Sequence, residues 1–367
     1  MKSFLNWDKL FDKQELHKFT ENETGTIWLK LKSIMRPEII KQFMNKCELS
    51  IRSSSKNIFE ELYNLNLYLK GEINKQQINS FLIEYNKKEN IEIKNNFHTI
   101  EAELYKLQNF SWGGDFNNSL DKKIITYVKR TYLYDEIINK IDNEISEHTK
   151  KYTLNSWYNN WTTILTEYLF KSNKKVISAV GKTKSVDFFI KDIPLDLKIT
   201  YLPKEFIKEQ RKIKGLKSEI GILTKLAREN SIIYDDKTNE EIKKHQIIEQ
   251  LKNLKKKNIN KILNQLSKET KQIIEETKNN KDSLIKWLYE NQGEMRLGSE
   301  NRLFLVLIDS NNISDSWKIK RNFKLLKKEI DSYIKSFNKS KLENNKIKFK
   351  FRGITYYTIA DMVFVEE

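Results

Sequence analysis

Residues 155–203 read NSWYNNWTTILTEYLFKSNKKVISAVGKTKSVDFFIKDIPLDLKITYLP, and their patterning decides the fold. A short amphipathic helix carrying Glu167 leads into a strand, and the turn GKTK leads into a second strand bearing Asp187. Ile193-Pro194 then turns the chain into a third strand, LDLKIT, with Asp196 and Lys198. Side chains alternate across a strand with period two. Asp196 and Lys198 therefore share one face, and Leu195, Leu197 and Ile199 share the other. Two carboxylates and a lysine can converge across neighbouring strands, with an apolar face behind them.

Asp187, Asp196 and the backbone carbonyl of Leu197 are hard oxygen donors of the kind that magnesium accepts. Lys198 returns to the same face, where it can hold an attacking water and offset charge growing on a transferring phosphorus. Glu167 can reach such an ion through water or take part in a second site. A plainer account exists, because edge strands carry acids and lysines for solubility and such spacings recur by chance in a chain rich in both. The order of helix with Glu, strand, strand with Asp, strand with Asp-x-Lys favours the catalytic account.

In these residues the chain resembles the PD-(D/E)XK nuclease superfamily. That pattern is an acid, a spacer and then acid-x-Lys, often preceded by a helical Glu. Asp187, Asp196-Leu197-Lys198 and Glu167 match it, while Val186 stands where the name-giving proline would precede Asp187. The resemblance covers residues 155–203 and later elements between about 281 and 365. It implies an α/β fold with a restriction-endonuclease-like core, a central mixed sheet flanked by helices, plus a helical N-terminal region and a helical insertion. It also implies an Mg2+-dependent endonuclease on double-stranded DNA, with a type II restriction endonuclease as the leading expectation. A phage-defence or repair nuclease, of low sequence specificity or activated by a partner, and a non-enzymatic nucleic-acid-binding protein are the alternatives. One such core holds one catalytic constellation, so cutting both strands leads us to expect a homodimer.

Lys and Arg number 67 against 50 Asp and Glu, a net charge of +17, which favours a polyanionic partner. The single cysteine, Cys47, excludes an intrachain disulfide framework and a four-cysteine zinc site. The four histidines stand in no zinc-enzyme pattern, and AVGKTKS lacks the leading glycine of a phosphate loop. With no GxGxxG fingerprint, nicotinamide chemistry is disfavoured too. No apolar run reads as a membrane span or signal peptide, so a cytoplasmic protein is expected.

Outward from the central stretch, residues 1–110 read as a helical domain. Trp7, Leu10 and Phe11 share one helical face, and Ile27, Trp28, Leu31 and Ile34 another. Gly71 suits a C-cap. Helical packing is the leading account of this region; in the alternative, a DNA-clamping domain, Arg52 and Lys56 could touch phosphates, although no recognition-helix signature is present. SWGGDFNNS at 111–119 reads as a linker, opening a nuclease domain over 111–367. Trp157 and Trp161 share a helix face and are expected in the core. Residues 205–280 are helical and lysine-heavy and suit an arm on the core. Lys252, Lys255, Lys256 and Lys257 there can follow a phosphate backbone, though a solvated helix face explains them equally well. RLFLVLID from Arg302 is apolar enough for a strand covered on both faces. SWKIKRNFKLLKKEIDSYIKSF at 316–337 reads as a long basic helix that presents Lys318, Lys320 and Arg321 to DNA, and the last residues as one or two strands. The loop with Gln292, Glu294, Arg296 and 299–302 is placed near substrate by family analogy alone.

Overall fold

The computed structural model describes residues 3–49, 57–68, 74–108, 119–130, 133–180, 185–236, 238, 240–291 and 300–367. Gly71, Arg52, Lys56, the GKTK turn, residues 111–118 of the expected linker, and Gln292, Glu294 and Arg296 lie outside them. Among the described residues the central sheet has five strands in the order β1-β2-β3-β4-β7. These are β1 (Val176–Ser178), β2 (Phe188–Ile190), β3 (Ile193–Tyr201), β4 (Arg302–Ile308) and β7 (Ala360–Glu366). The first three run antiparallel, whereas β3, β4 and β7 run parallel, so the sheet is mixed.

Parallel neighbours need long crossovers, and the chain supplies two. The helical insertion joins β3 to β4. The second runs from β4 through a 3₁₀ helix (Ile313–Arg321) and then α15 (Phe323–Ser336) and α16 (Lys339–Asn344). It continues into a hairpin of β5 (Ile347–Phe351) and β6 (Ile354–Thr358) before β7. Every residue of β4 is buried, as its uniformly apolar run requires. Leu303, Leu305 and Leu307 face one layer, and Phe304, Val306 and Ile308 the other. Full burial of each such side chain contributes roughly 1.5–3 kcal/mol.

The first layer holds α6 (Ile91–Leu104), the long α9 (Ser146–Lys171) and α15, with Trp157 and Trp161 packed against its core. Glu167 thus lies near the end of a 26-residue helix rather than on a short one. No glycine or proline interrupts residues 146–171, so nothing stops the helix earlier.

The insertion comprises α10 (Lys204–Ile213), α11 (Glu219–Glu229), α12 (Glu240–Asn253), α13 (Lys257–Asn279) and α14 (Lys281–Asn291). Helices α11 and α12 form a small core of their own with the first half of α13. Further along α13, Ile273 and Ile274 join the second layer of the sheet. The insertion is therefore a buttressed lobe with an anchored spine, not a free hairpin.

The N-terminal helices pack on the sheet directly. They include α1 (Phe4–Asp12), α2 (Glu23–Ser33), α3 (Pro37–Lys46), α4 (Ile58–Tyr68) and α5 (Lys75–Glu89). Trp7, Trp28, Phe43 and Tyr63 share a core with Val180, Val186 and Phe189 of the β1–β2 region. Leu104 and Leu107 belong instead to the first layer, so hydrophobic packing crosses the expected boundary near residue 110.

Three local expectations need correction. The chain turns at Lys191-Asp192, not Ile193-Pro194; both residues have positive φ, the primed turn that suits twisted antiparallel strands. Pro194 lies within β3, where its missing N–H is tolerated because pairing with β4 begins only at Asp196. The supposed long basic helix breaks at Asn322, whose side chain caps α15 by accepting from the Leu325 N–H. The C-terminal segment forms three strands rather than one or two, because Arg352-Gly353 makes a second tight turn with positive φ at both residues.

Candidate functional site

The candidate site lies where β2 and β3 enter the sheet beside the start of β4. Asp187 precedes β2 and is locked into the ladder, its N–H donating to Leu195 O at 2.9 Å. Its carboxylate crosses to β3, where Oδ2 accepts the Leu197 N–H at 2.7 Å. Asp196 is 4% exposed and pairs in register with Arg302 of β4. Lys198 Nζ lies 3.2 Å from Asp196 Oδ2 and 3.3 Å from Oδ1. The expected alternation holds, since Leu195, Leu197 and Ile199 pack into the first layer behind these groups.

Arg302, which the sequence placed only at the start of the apolar strand and in a loop near substrate, is the partner that the sequence did not assign to Asp196. It is fully buried, with Nε 3.2 Å from Asp196 Oδ2 and Nη2 2.6 Å from Glu300 Oε2. Its guanidinium lies 5.6 Å from the ring centroid of Tyr289, whose hydroxyl donates to the Glu300 carbonyl at 2.7 Å. One signal was available: an arginine heading an otherwise apolar interior strand must find a buried partner.

The electrostatics follow from this crowding. Burial, then repulsion from Asp196 and Glu167, raises the Asp187 pKa to about 6 against the Leu197 hydrogen bond. Burial also raises that of Asp196, while Lys198 and Arg302 pull it down and Glu300 pushes it up. Glu167 Oε2 is held by Lys171 Nζ at 2.8 Å. Among the described residues, no group of three or more His, Cys, Asp or Glu side chains is gathered to hold a metal ion. What fits a cation is the Asp187–Asp196 pair, whose mutual repulsion a positive charge would relieve. Asp196 Oδ2 is buried and makes no well-aligned hydrogen bond, although Lys198 Nζ and Arg302 Nε each lie 3.2 Å from it, so an ion there would share the oxygen with two cations.

The basic residues separate into two groups. Lys252, Lys255, Lys256 and Lys257 are exposed around the turn between α12 and α13, with Lys256 donating to Asn230 Oδ1 at 2.8 Å. Lys318 is exposed too and pairs with Asp315 at 3.0 Å. Lys320 and Arg321 depart from expectation, being 4% and 9% exposed. Lys320 Nζ donates to Asn159 Oδ1 and Thr163 Oγ1, and Arg321 Nη1 to the carbonyls of Leu104 and Leu107. The 3₁₀ helix packs this side against α6 and α9, so both cations bind protein and neither faces a phosphate.

No protein-family model, curated protein or solved structure matches the chain. Among the described residues no helix is long and apolar enough to cross a membrane.

Proposed function

We propose that this chain is a magnesium-dependent endonuclease of the PD-(D/E)XK kind, acting in the cytoplasm on double-stranded DNA. Recognition of a short site, as by a type II restriction enzyme, is part of this reading. The observation that carries it is the Asp187 hydrogen bond to the Leu197 N–H. That bond draws Asp187 to the strand on which Asp196 and Lys198 meet.

In this reading Asp187 and Asp196 hold the ion, with the Leu197 carbonyl and Glu167 as further donors. Magnesium, when bound, supplies Lewis-acid polarisation of a phosphoryl oxygen and keeps several waters of its own. Lys198, whose ammonium already lies beside Asp196, orients the attacking water and offsets charge on the transferring phosphorus. The first layer of the sheet keeps the strands carrying these groups in place. Lys252, Lys255, Lys256, Lys257 and Lys318 supply phosphate contacts that position the duplex without reading bases.

One observation favours a second reading, a non-enzymatic DNA-binding protein. Asp196 is already compensated by Lys198 and Arg302, as a structural ion pair would be. Digesting a long DNA of known sequence with purified protein and magnesium, then sequencing the ends, separates the readings. Ends sharing a short sequence support a restriction enzyme, and random ends support a defence or repair nuclease. DNA left intact with magnesium or manganese, alongside retained DNA binding, leaves the binding protein.

A further inference from the structure

Helix α7 (Ser119–Arg130) and helix α8 (Tyr134–Lys140) fold into a hairpin ahead of α9. The Tyr127 hydroxyl donates to the Glu144 carboxylate, which holds α7 along the π-helical turn (Ile141–Ile145) that continues α8. No residue of α8 or of that turn is buried. Seven of the sixteen large apolar side chains exposed among the described residues fall between 125 and 154, a density that a solvated arm does not need. Ile125 and Val128 stand three residues apart on α7, Leu133 and Tyr134 lie at the tip, and Ile141 and Tyr152 lie further along. Val128 is 67% exposed and Tyr134 76%.

The charges on this hairpin identify what covers it. Exposed Lys129 and Arg130 end α7, and exposed Asp135 and Glu136 open α8, so the tip carries both signs side by side. A two-fold axis through the tip sets the basic pair of one copy against the acidic pair of the other, the self-complementarity an isologous contact requires. Asp135, Glu136, Asp142 and Glu144 offset Lys129, Arg130 and Lys140, so the hairpin presents no net positive face to DNA or an anionic membrane. We propose that the α7–α8 hairpin is the contact through which two copies of this chain pair, their apolar faces closing into a four-helix bundle. The proposal does not depend on nuclease chemistry; if that reading also holds, the contact joins two cleaving centres in one particle.

The test is sedimentation velocity of the full chain between roughly 1 and 100 µM, a range that captures dimers of ordinary affinity. The wild type is expected to sediment as a dimer. Ile125→Glu with Val128→Glu, whose sites are already solvent-facing in the monomer, is expected to weaken pairing by at least about 100-fold, as removing apolar groups from an interface centre does. Charge exchange provides the second arm: Lys129→Glu with Arg130→Glu should dissociate the dimer, and adding Asp135→Lys with Glu136→Lys should restore it. A wild type that stays monomeric throughout overturns the proposal. So does a dimer that persists in the apolar double variant, or a charge exchange without rescue. None of these readouts uses cleavage, so a chain that pairs as described but cuts nothing counts only against the nuclease reading.

Discussion

Lys30, wholly buried on α2, places its ammonium 2.6 Å from the carboxylate of Asp192, at the tip of the β2–β3 hairpin. Lys75 of α5 reaches the same carboxylate at 2.5 Å. The N-terminal helices thus grip the turn that sets the register between the strands of Asp187 and Asp196. Asp192 holds a left-handed conformation that costs a non-glycine residue roughly 1–2 kcal/mol. The pair is asymmetric. Burial raises the Asp192 pKa, but Lys30 and Lys75 outweigh it, so the carboxylate titrates below its usual range. For Lys30, burial exceeds what Asp192 returns, and its pKa falls.

Asp192→Asn should therefore destabilise the fold by about 3–5 kcal/mol, because it leaves the Lys30 charge buried and uncompensated. Adding Lys30→Met should recover part of that loss. Urea titration of the two single variants and the double variant gives the comparison. The contribution of Asp192 is present above the unfolded carboxylate pKa and disappears as pH falls through its lower folded value. An Asp192→Asn variant as stable as wild type at neutral pH contradicts this account.

Asp187→Ala, Asp196→Ala and Lys198→Ala should each abolish magnesium-dependent cleavage, and Glu167→Ala should reduce it less, since Lys171 already holds that carboxylate. Calcium should support binding without cutting, its looser coordination placing water poorly. Wild-type cleavage by Lys198→Ala excludes the assigned role.

Asp187→Asn should lose activity yet stabilise the protein near neutral pH. With a folded pKa of about 6, above the unfolded carboxylate range, the native state binds the extra proton between about pH 4 and 6. Stability then falls as pH rises through that window, by about 1–3 kcal/mol. Thermal unfolding without metal at pH 8 should show the variant melting higher, with the difference vanishing by pH 4. A variant that melts lower at both values removes the argument.

Neutralising Lys255, Lys256 and Lys257 together should weaken DNA binding equally on cognate and random duplexes. It should also reduce the slope of log affinity against log salt, by about 0.9 for each phosphate that the variant no longer neutralises. Lys320→Met should leave that slope alone and stabilise the fold instead. Burial lowers the Lys320 pKa to about 7, with no carboxylate beside it, so folding must shed or bury a proton that the unfolded chain keeps. That penalty is full below about pH 7 and is relieved as pH rises toward the ordinary lysine value, so the gain should be largest in mild acid. Weakened affinity confined to one DNA sequence, or a destabilised Lys320→Met, would count against these assignments.

The sequence by itself determined what local periodicity controls. Alternation along β3 put Asp196 and Lys198 on one face and three apolar residues on the other, and the uniform apolarity of β4 made it an interior strand. Both follow from backbone geometry within a few residues. Only the tertiary structure decided the partners. Asp196 meets Arg302 because two strands far apart in sequence align in one parallel register, and Lys30 meets Asp192 across 162 positions. Lys320 and Arg321 look like a basic surface in sequence, yet they turn inward because the 3₁₀ helix that carries them packs against α6 and α9, where Asn159, Thr163 and the Leu104 and Leu107 carbonyls receive them. A charge pattern records which residues need partners; which partner arrives depends on the packing of segments that no local pattern relates.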